Sequence, residues 1–249
     1  MITTTINRNK VKISGERPRK ALASHLFRNW ASQIDPYFTV RSIKFQSVDV
    51  IRGAIKFIKL KAYVTDGDGR SFSSVVFLRG GSVAILVILN CEGELYTVLV
   101  SQRRFAVGKP NLLEIPAGTI EAGSSSWNNA LRELREELGI AESEMDRSSA
   151  GTLRVRDEDA TAGLYPSPGA CDEYIELYFY EVKITRKGLD SFQGKQTGLA
   201  AENEHITLSV VPLDDLPKLV NDGKSLAAYY MYKRRIRAKR ELFSRERSA

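Results

Sequence analysis

The order of elements along the chain predicts an α/β fold, a mixed sheet sandwiched by helices, with a smaller β-rich unit ahead of it. Three features of the 249 residues carry that reading. Strand-like alternation fills most of residues 40–102. One amphipathic helix at 127–139 is flanked on both sides by further strand-like runs, and a long helix comes last. Layering helices on both faces of a sheet buries all of these apolar stripes together.

Residues 1–16 are polar and read as a loose beginning. Residues 18–34 place Leu22, Leu26, Trp30 and Ile34 at helical spacing. Two alternating runs, 40–51 and 54–64, meet at Arg52-Gly53 and predict a hairpin. Asp66-Gly67-Asp68-Gly69 is a tight turn. Residues 72–79, 82–90 and 94–102 predict three more strands, the middle one apolar throughout and therefore buried. Lys109-Pro110-Asn111 opens a loop that leads to Pro116-Ala117-Gly118. The helix at 127–139 has Ser125 or Ser126 as its N-cap and Gly139 as its stop. Residues 149–155 and 172–185 are strands, 187–204 a long polar loop, and 205–212 another strand. A short helix begins within 212–217, and 224–244 is the last helix. The chain divides into a unit of helix and hairpin at 1–75 and a larger domain at 76–249.

Composition narrows the chemistry. Two cysteines and two histidines exclude a disulfide framework and a four-cysteine zinc site, and make a Ser-His-Asp hydrolase a poor fit. No apolar run reaches the length of a membrane span, and residues 1–5 do not begin a signal peptide. Unpaired cysteines fit a reducing compartment, most simply the cytoplasm. The net charge of +7 is concentrated at one end: residues 230–249 hold eight Lys and Arg against two Glu, a net of +6. No aromatic platform or groove-reading motif accompanies these cations, so a solvated final helix is expected rather than a nucleic-acid partner. What is left is mostly carboxylate chemistry.

The informative segment is Arg132-Glu133-Leu134-Arg135-Glu136-Glu137-Leu138-Gly139-Ile140. On a helix, Glu133, Glu136 and Glu137 share one stripe, while Leu131, Leu134 and Leu138 share another. Like charges on one stripe repel by some tenths of a kcal/mol per pair even when exposed, roughly the strength of an attractive pair. A hard divalent cation with oxygen ligands would offset that; a solvated acidic face is the competing reading.

Gly118 lies fourteen residues before Arg132. With that spacing, residues 118–140 resemble the Nudix box: Gly118, Arg132, Glu133, Leu134, Glu136, Glu137, Gly139 and Ile140 all match, and Ser124 replaces the pattern's first Glu. Glu121 is near enough in sequence to substitute in part. Gln102-Arg103-Arg104, Leu113-Glu114-Ile115-Pro116-Ala117-Gly118, the segment from Tyr165 to Glu173 and the run Gly198–Ile206 are similar to the ADP-sugar pyrophosphatase branch.

The resemblance implies the Nudix α/β/α sandwich with a mixed sheet, and a small N-terminal β-rich unit that makes a homodimer. It implies hydrolysis of the diphosphate of an ADP-sugar, ADP-ribose or ADP-glucose, to AMP and a sugar phosphate. UDP-glucose, another nucleoside diphosphate, or a non-catalytic nucleotide sensor are the alternatives. The cofactor implied is Mg2+, with Mn2+ able to replace it. The metal ligands implied are Glu133, Glu137, Glu204 and the carbonyl of Ala117, with Glu136 sharing the cluster. Glu202 is the base implied. Arg104 is the phosphate clamp and Arg103 its less certain neighbour. Glu114 either binds the sugar or base edge or is buried and structural. Glu173 holds an arginine or sugar hydroxyls. Trp30 and Phe57 are core residues or adenine platforms.

Overall fold

The protein is described by a computed structural model covering residues 2–121, 123–140, 147–154, 162–199 and 204–246. Contacts divide the chain into two units. The first is Met1–Gly81 together with Tyr165–Tyr174, and the second is Ser82–Leu164 together with Ile175–Ala249.

The first unit is a five-stranded sheet in sequential order. Its strands are β1 (Ile2–Ile6), β2 (Asn9–Gly15), β3 (Thr39–Ile51), β4 (Ala54–Thr65) and β5 (Ser71–Leu78). All neighbours are antiparallel except β2 and β3, which run parallel. Residues 2–15 are thus a hairpin and not a loose beginning. Ile6, Val11 and Ile13 are buried, and Asn7 and Arg8 both turn through positive φ, 48° and 64°. That is the backbone a two-residue hairpin needs, formed here without glycine. The expected hairpin at Arg52-Gly53 forms in the same way, with φ of 50° and 82°.

The helical stretch at 18–34 is broken into α1 (Pro18–Ala23) and α2 (His25–Ser32). Ser24 is extended between them and accepts the Phe27 N–H, so it caps the second helix. Phe27 packs edge-on to Phe45 in the core of this unit. Residues 165–174 attach to β5. Phe77 N–H donates to the Ala170 carbonyl at 2.7 Å, and Asp172 accepts from the N–H groups of Arg79 and Gly80 at 2.8 and 3.2 Å.

The second unit is an eight-stranded mixed sheet with helices on both faces. It contains β6 (Ser82–Cys91), β7 (Glu94–Arg104), β8 (Lys109–Glu114), β9 (Ala117–Thr119), β10 (Ala150–Leu153), β11 (Ile175–Lys183), β12 (Gln196–Thr197) and β13 (Ile206–Pro212). The main path runs β10-β11-β6-β7-β13-β12, with β8 on β7 and β9 on β6. β11 and β6 are parallel, while the other pairs are antiparallel. The helices are α3 (Ser126–Leu138), α4 (Arg186–Asp190), α5 (Leu216–Leu219) and α6 (Gly223–Glu246).

Strand β6 is apolar throughout because it is covered twice. Val83, Ile85, Val87 and Leu89 pack with Ala130, Leu134 and Leu138 of α3, while Ala84, Leu86 and Ile88 pack with Ala228, Tyr229 and Tyr232 of α6. Two expected loops contain structure. Residues 109–119 supply β8 and β9, and residues 187–204 supply most of α4 and all of β12. All three strands are short, and their pairing lies in distant β6, β7 and β13 rather than in local alternation.

Candidate active site

Helix α3 presents the carboxylates, and its ends are set by local chemistry. The Ser125 side chain accepts the Asn128 N–H at 3.2 Å and caps the start. Gly139, at φ 69°, ends the helix in the left-handed region. Between them Ala130, Leu134 and Leu138 are fully buried against the sheet. That packing turns the acidic stripe toward β9 rather than into open water.

Glu137 is 1% exposed. One of its oxygens accepts the Ala117 N–H at 3.0 Å, and the other lies 3.5 Å from the Gln102 amide nitrogen. Glu133 is 6% exposed and rests against Gly118. A β-carbon at residue 118 would stand 1.8 Å from Glu133 Oε1, so glycine lets the carboxylate lie against the backbone where any side chain would displace it. Arg132 folds along the helix and donates to Glu133 at 2.5 Å and Glu136 at 2.7 Å. Its Nε is buried without a hydrogen bond among the described residues, 4.0 Å from Glu121. Glu121 thus approaches the arginine from the loop, while the Ser124 hydroxyl donates to the Ser125 carbonyl and its N–H to the Glu121 carbonyl.

Burial lifts Glu133 to about 7; Arg132 opposes this, and Glu136 and Glu204 add to it. Burial, with Glu133 and Glu204 close by, holds Glu137 well above the usual carboxylate range. Withdrawing an ion from water costs several kcal/mol. The six fully buried Val, Ile and Leu side chains of β6 contribute about 1.5–3 kcal/mol each, so the core carries this unfavourable cluster.

Arg104, at the end of β7, donates to Glu114 at 2.5 Å. Glu114 is 2% exposed, and its other oxygen accepts from Lys224 at the start of α6. Glu114 is therefore held between two cations and orients Arg104. Arg104 is also within electrostatic reach of Glu137 and Glu204. Arg103 is exposed and lines a cleft of about 440 Å³ with Asn111, His205 and Thr207.

The structure thus gathers Glu133, Glu136, Glu137, Glu204, Ala117, Arg104 and Glu114 around the exposed end of β9 and the last turns of α3. Glu202 lies outside the described residues. Glu173 belongs to the first unit, where it pairs with Arg79 at 3.0 Å. Trp30 and Phe57 are also in the first unit, Trp30 beside Phe27 and Phe57 stacked on Phe77 at 5.5 Å. Two partners were not singled out from the sequence as site residues. Gln102 stands in a recognisable run and could have been; Lys224 gives no local signal, being 110 residues from its carboxylate.

Among the described residues, no three His, Cys, Asp or Glu side chains stand in a geometry that could hold a metal ion. Arg132 and the Ala117 N–H engage the carboxylate oxygens instead. The donor set still suits a hard cation: all its members are oxygens, and two, Glu133 and Glu137, are buried with neighbouring carboxylates that raise the cost of ionising them.

Comparison with known proteins gives this geometry a family. The family model described as NUDIX domain matches residues 78–231. Nudix hydrolase 14, chloroplastic, of Arabidopsis thaliana is 33% identical over 230 residues, spanning 88% of this chain and 74% of that protein. An ADP-ribose pyrophosphatase of Bacillus subtilis (strain 168) is 28% identical over 176 residues, 68% of this chain and 80% of that one. The crystal structure of an ADP compounds hydrolase superposes with a TM-score of 0.53 at 14% identity, over 84% of this chain and 98% of that one, a likeness of fold. The matched span contains β9, α3, the strand that ends in Arg104 and the segment before β13 that carries Glu204, and on these grounds the chain belongs to the Nudix hydrolase family.

Proposed function

We propose that this Nudix hydrolase cleaves the diphosphate of an ADP-sugar, ADP-ribose or ADP-glucose, to AMP and a sugar phosphate. The observation that carries the reading is the burial of Glu133 and Glu137, with Arg104 within electrostatic reach of Glu137. Anionic side chains withdrawn from water next to a phosphate-binding cation suit a site for a metal-bound polyanion better than a surface. The similarity to proteins named ADP-ribose pyrophosphatase supports the choice of sugar nucleotide.

Glu133, Glu137, Glu204 and the Ala117 carbonyl are the proposed ligands of Mg2+, with Glu136 sharing the cluster; Mn2+ is the expected substitute. When bound, such an ion polarises a phosphoryl oxygen and lowers the pKa of water. Arg104, oriented by Glu114, holds the diphosphate by paired donors. Arg103, with His205 and Asn111 across the cleft, is proposed to receive the sugar-phosphate end. Glu202 is proposed as the base that takes the proton of the attacking water.

Two copies are proposed to pair through the first unit. Tyr63, Val75 and Phe77 are exposed on the outer face of β4 and β5, around the Phe57–Phe77 stack. Glu173 then serves chiefly to hold Arg79. No helix among the described residues is long and apolar enough to cross a membrane. The free Cys91 and Cys171 suit the cytoplasmic placement we propose.

A panel of ADP-ribose, ADP-glucose, UDP-glucose, NADH and capped RNA, assayed with Mg2+ and with EDTA, tests the reading. Metal-dependent AMP release, fastest from an ADP-sugar, is expected. Faster turnover of UDP-glucose would move the substrate class, and tight nucleotide binding without turnover would make the chain a sensor.

A further inference from the structure

The last turn of α3 is closed by a segment from elsewhere in the chain. A helix leaves its final carbonyls without partners. Gly139 N–H takes the Arg135 carbonyl at 3.0 Å, and the next three are taken by residues 195–198. Gly198 N–H donates to the Glu136 carbonyl at 3.3 Å, Thr197 Oγ1 to the Glu137 carbonyl at 2.5 Å, and Lys195 Nζ to the Leu138 carbonyl at 3.3 Å. The Lys195 charge also suits the negative end of the helix dipole.

The same segment is tied on its other side. Thr197 pairs with Ile206 in β13, and Lys195 exchanges backbone bonds with Leu208 and Phe192. Glu204 is tied to the end of the same segment. Its N–H donates to the Leu199 carbonyl at 3.2 Å, and its carboxylate accepts the Leu199 N–H at 3.4 Å. Gly198, at φ 93°, passes so near Glu204 that a β-carbon would lie 3.0 Å from its carbonyl oxygen. The chain carrying Glu204 is therefore indexed to the carbonyls of the residues that carry the other carboxylates.

We propose that Thr197 is a positioning residue of the hydrolytic site: its hydroxyl on the Glu137 carbonyl sets where Glu204 stands relative to Glu137, and so sets the affinity of the carboxylate cluster for a divalent cation. Lys195 supports the same register from one residue further along the helix end. This inference rests on the carboxylates' proposed role as cation ligands, and its effect on turnover rests further on the hydrolytic reading.

The test measures Mn2+ binding by electron paramagnetic resonance, alongside kcat, KM and Tm, in the full chain. Thr197→Val keeps the shape and removes the donor, while Thr197→Ser keeps the donor. Loss of one hydrogen bond predicts about tenfold weaker Mn2+ binding in Thr197→Val, with kcat reduced similarly and KM for substrate unchanged. Thr197→Ser is expected within about twofold of the parent. Lys195→Met, which leaves the hydroxyl in place, is expected to weaken Mn2+ binding about threefold and serves if Thr197→Val does not fold. Unchanged Mn2+ affinity in both Thr197→Val and Lys195→Met, with only Tm lowered, would overturn the proposal. So would Thr197→Ser behaving like Thr197→Val. A parent chain that binds Mn2+ but hydrolyses no sugar nucleotide would instead contradict the proposed function.

Discussion

The acidic stripe of α3 and the basic end of α6 are the two charged helical surfaces of the second unit, and they are treated in opposite ways. The α6 cations dominate the composition, yet among the described side chains four of them are engaged locally. Lys233 donates to Asp214 at 2.8 Å, Arg234 to the Arg154 carbonyl at 2.8 Å, and Arg237 to Glu241 at 3.0 Å, while Arg235 lies over the Phe179 ring. On α3, three glutamates barely register in the net charge, but two are buried, and burial with neighbouring carboxylates raises both above the usual range. Abundant charge on the surface is inexpensive and says little about activity; scarce charge under the surface must be supported by the fold.

The largest expected effect breaks the acidic side of that contrast. Glu137→Gln should lower hydrolysis by about a thousandfold or more, because the metal loses a charged ligand that matters most in the transition state. Initial rates of AMP release measure it, and a loss under tenfold would remove Glu137 from the site. Glu114→Gln comes next. With its charge gone, Arg104 and Lys224 lose their shared anion, and KM should rise about tenfold while the chain stays folded. A fall in kcat alone would instead point to contact between Glu114 and the reacting group.

The pH dependence of stability sharpens the comparison. Glu133 is raised to about 7 in the folded protein. A carboxyl raised on folding contributes stability that is complete below its unfolded pKa and is lost as pH rises through the folded value. In EDTA, therefore, unfolding free energy should fall between about pH 4.5 and 7 by on the order of 3 kcal/mol from this group. Urea unfolding at pH 5.5 and pH 8 measures it, and Mg2+ should abolish most of the slope. The smallest effect is on α6. Lys233→Ala breaks an exposed pair and should change stability by less than about 1 kcal/mol, with hydrolysis unaltered.

Much of this was legible in the sequence where local chemistry decides structure. The Ser125 cap, the Gly139 stop and the leucine stripe of α3 are all local, so the helix and its carboxylates could be read directly. The apolar run of β6 likewise announced its double burial. The rest depends on distance along the chain. The β1–β2 hairpin turns at Asn7-Arg8, without the glycine that usually marks such a turn. The β8 and β9 strands exist because β7 and β6 present edges to them. Residues 165–174 leave one unit for the other, and no linear pattern signals such an excursion. Within the site, the motif spacing brought Glu133, Glu136 and Glu137 together, but Lys224 on Glu114 and Thr197 on α3 are contacts across 110 and 60 residues. Only the folded chain reveals them.

Burying the α3 carboxylates costs stability, and the proposed cation offsets that cost. Calorimetric melting of the parent chain and Glu137→Gln at pH 8, with and without Mg2+, tests it most directly. Glu137→Gln is expected to melt higher than the parent in EDTA, and Mg2+ to raise the parent's Tm but not the variant's. A variant that melts lower than the parent in EDTA, or one that gains the same Tm increment from Mg2+, would contradict it.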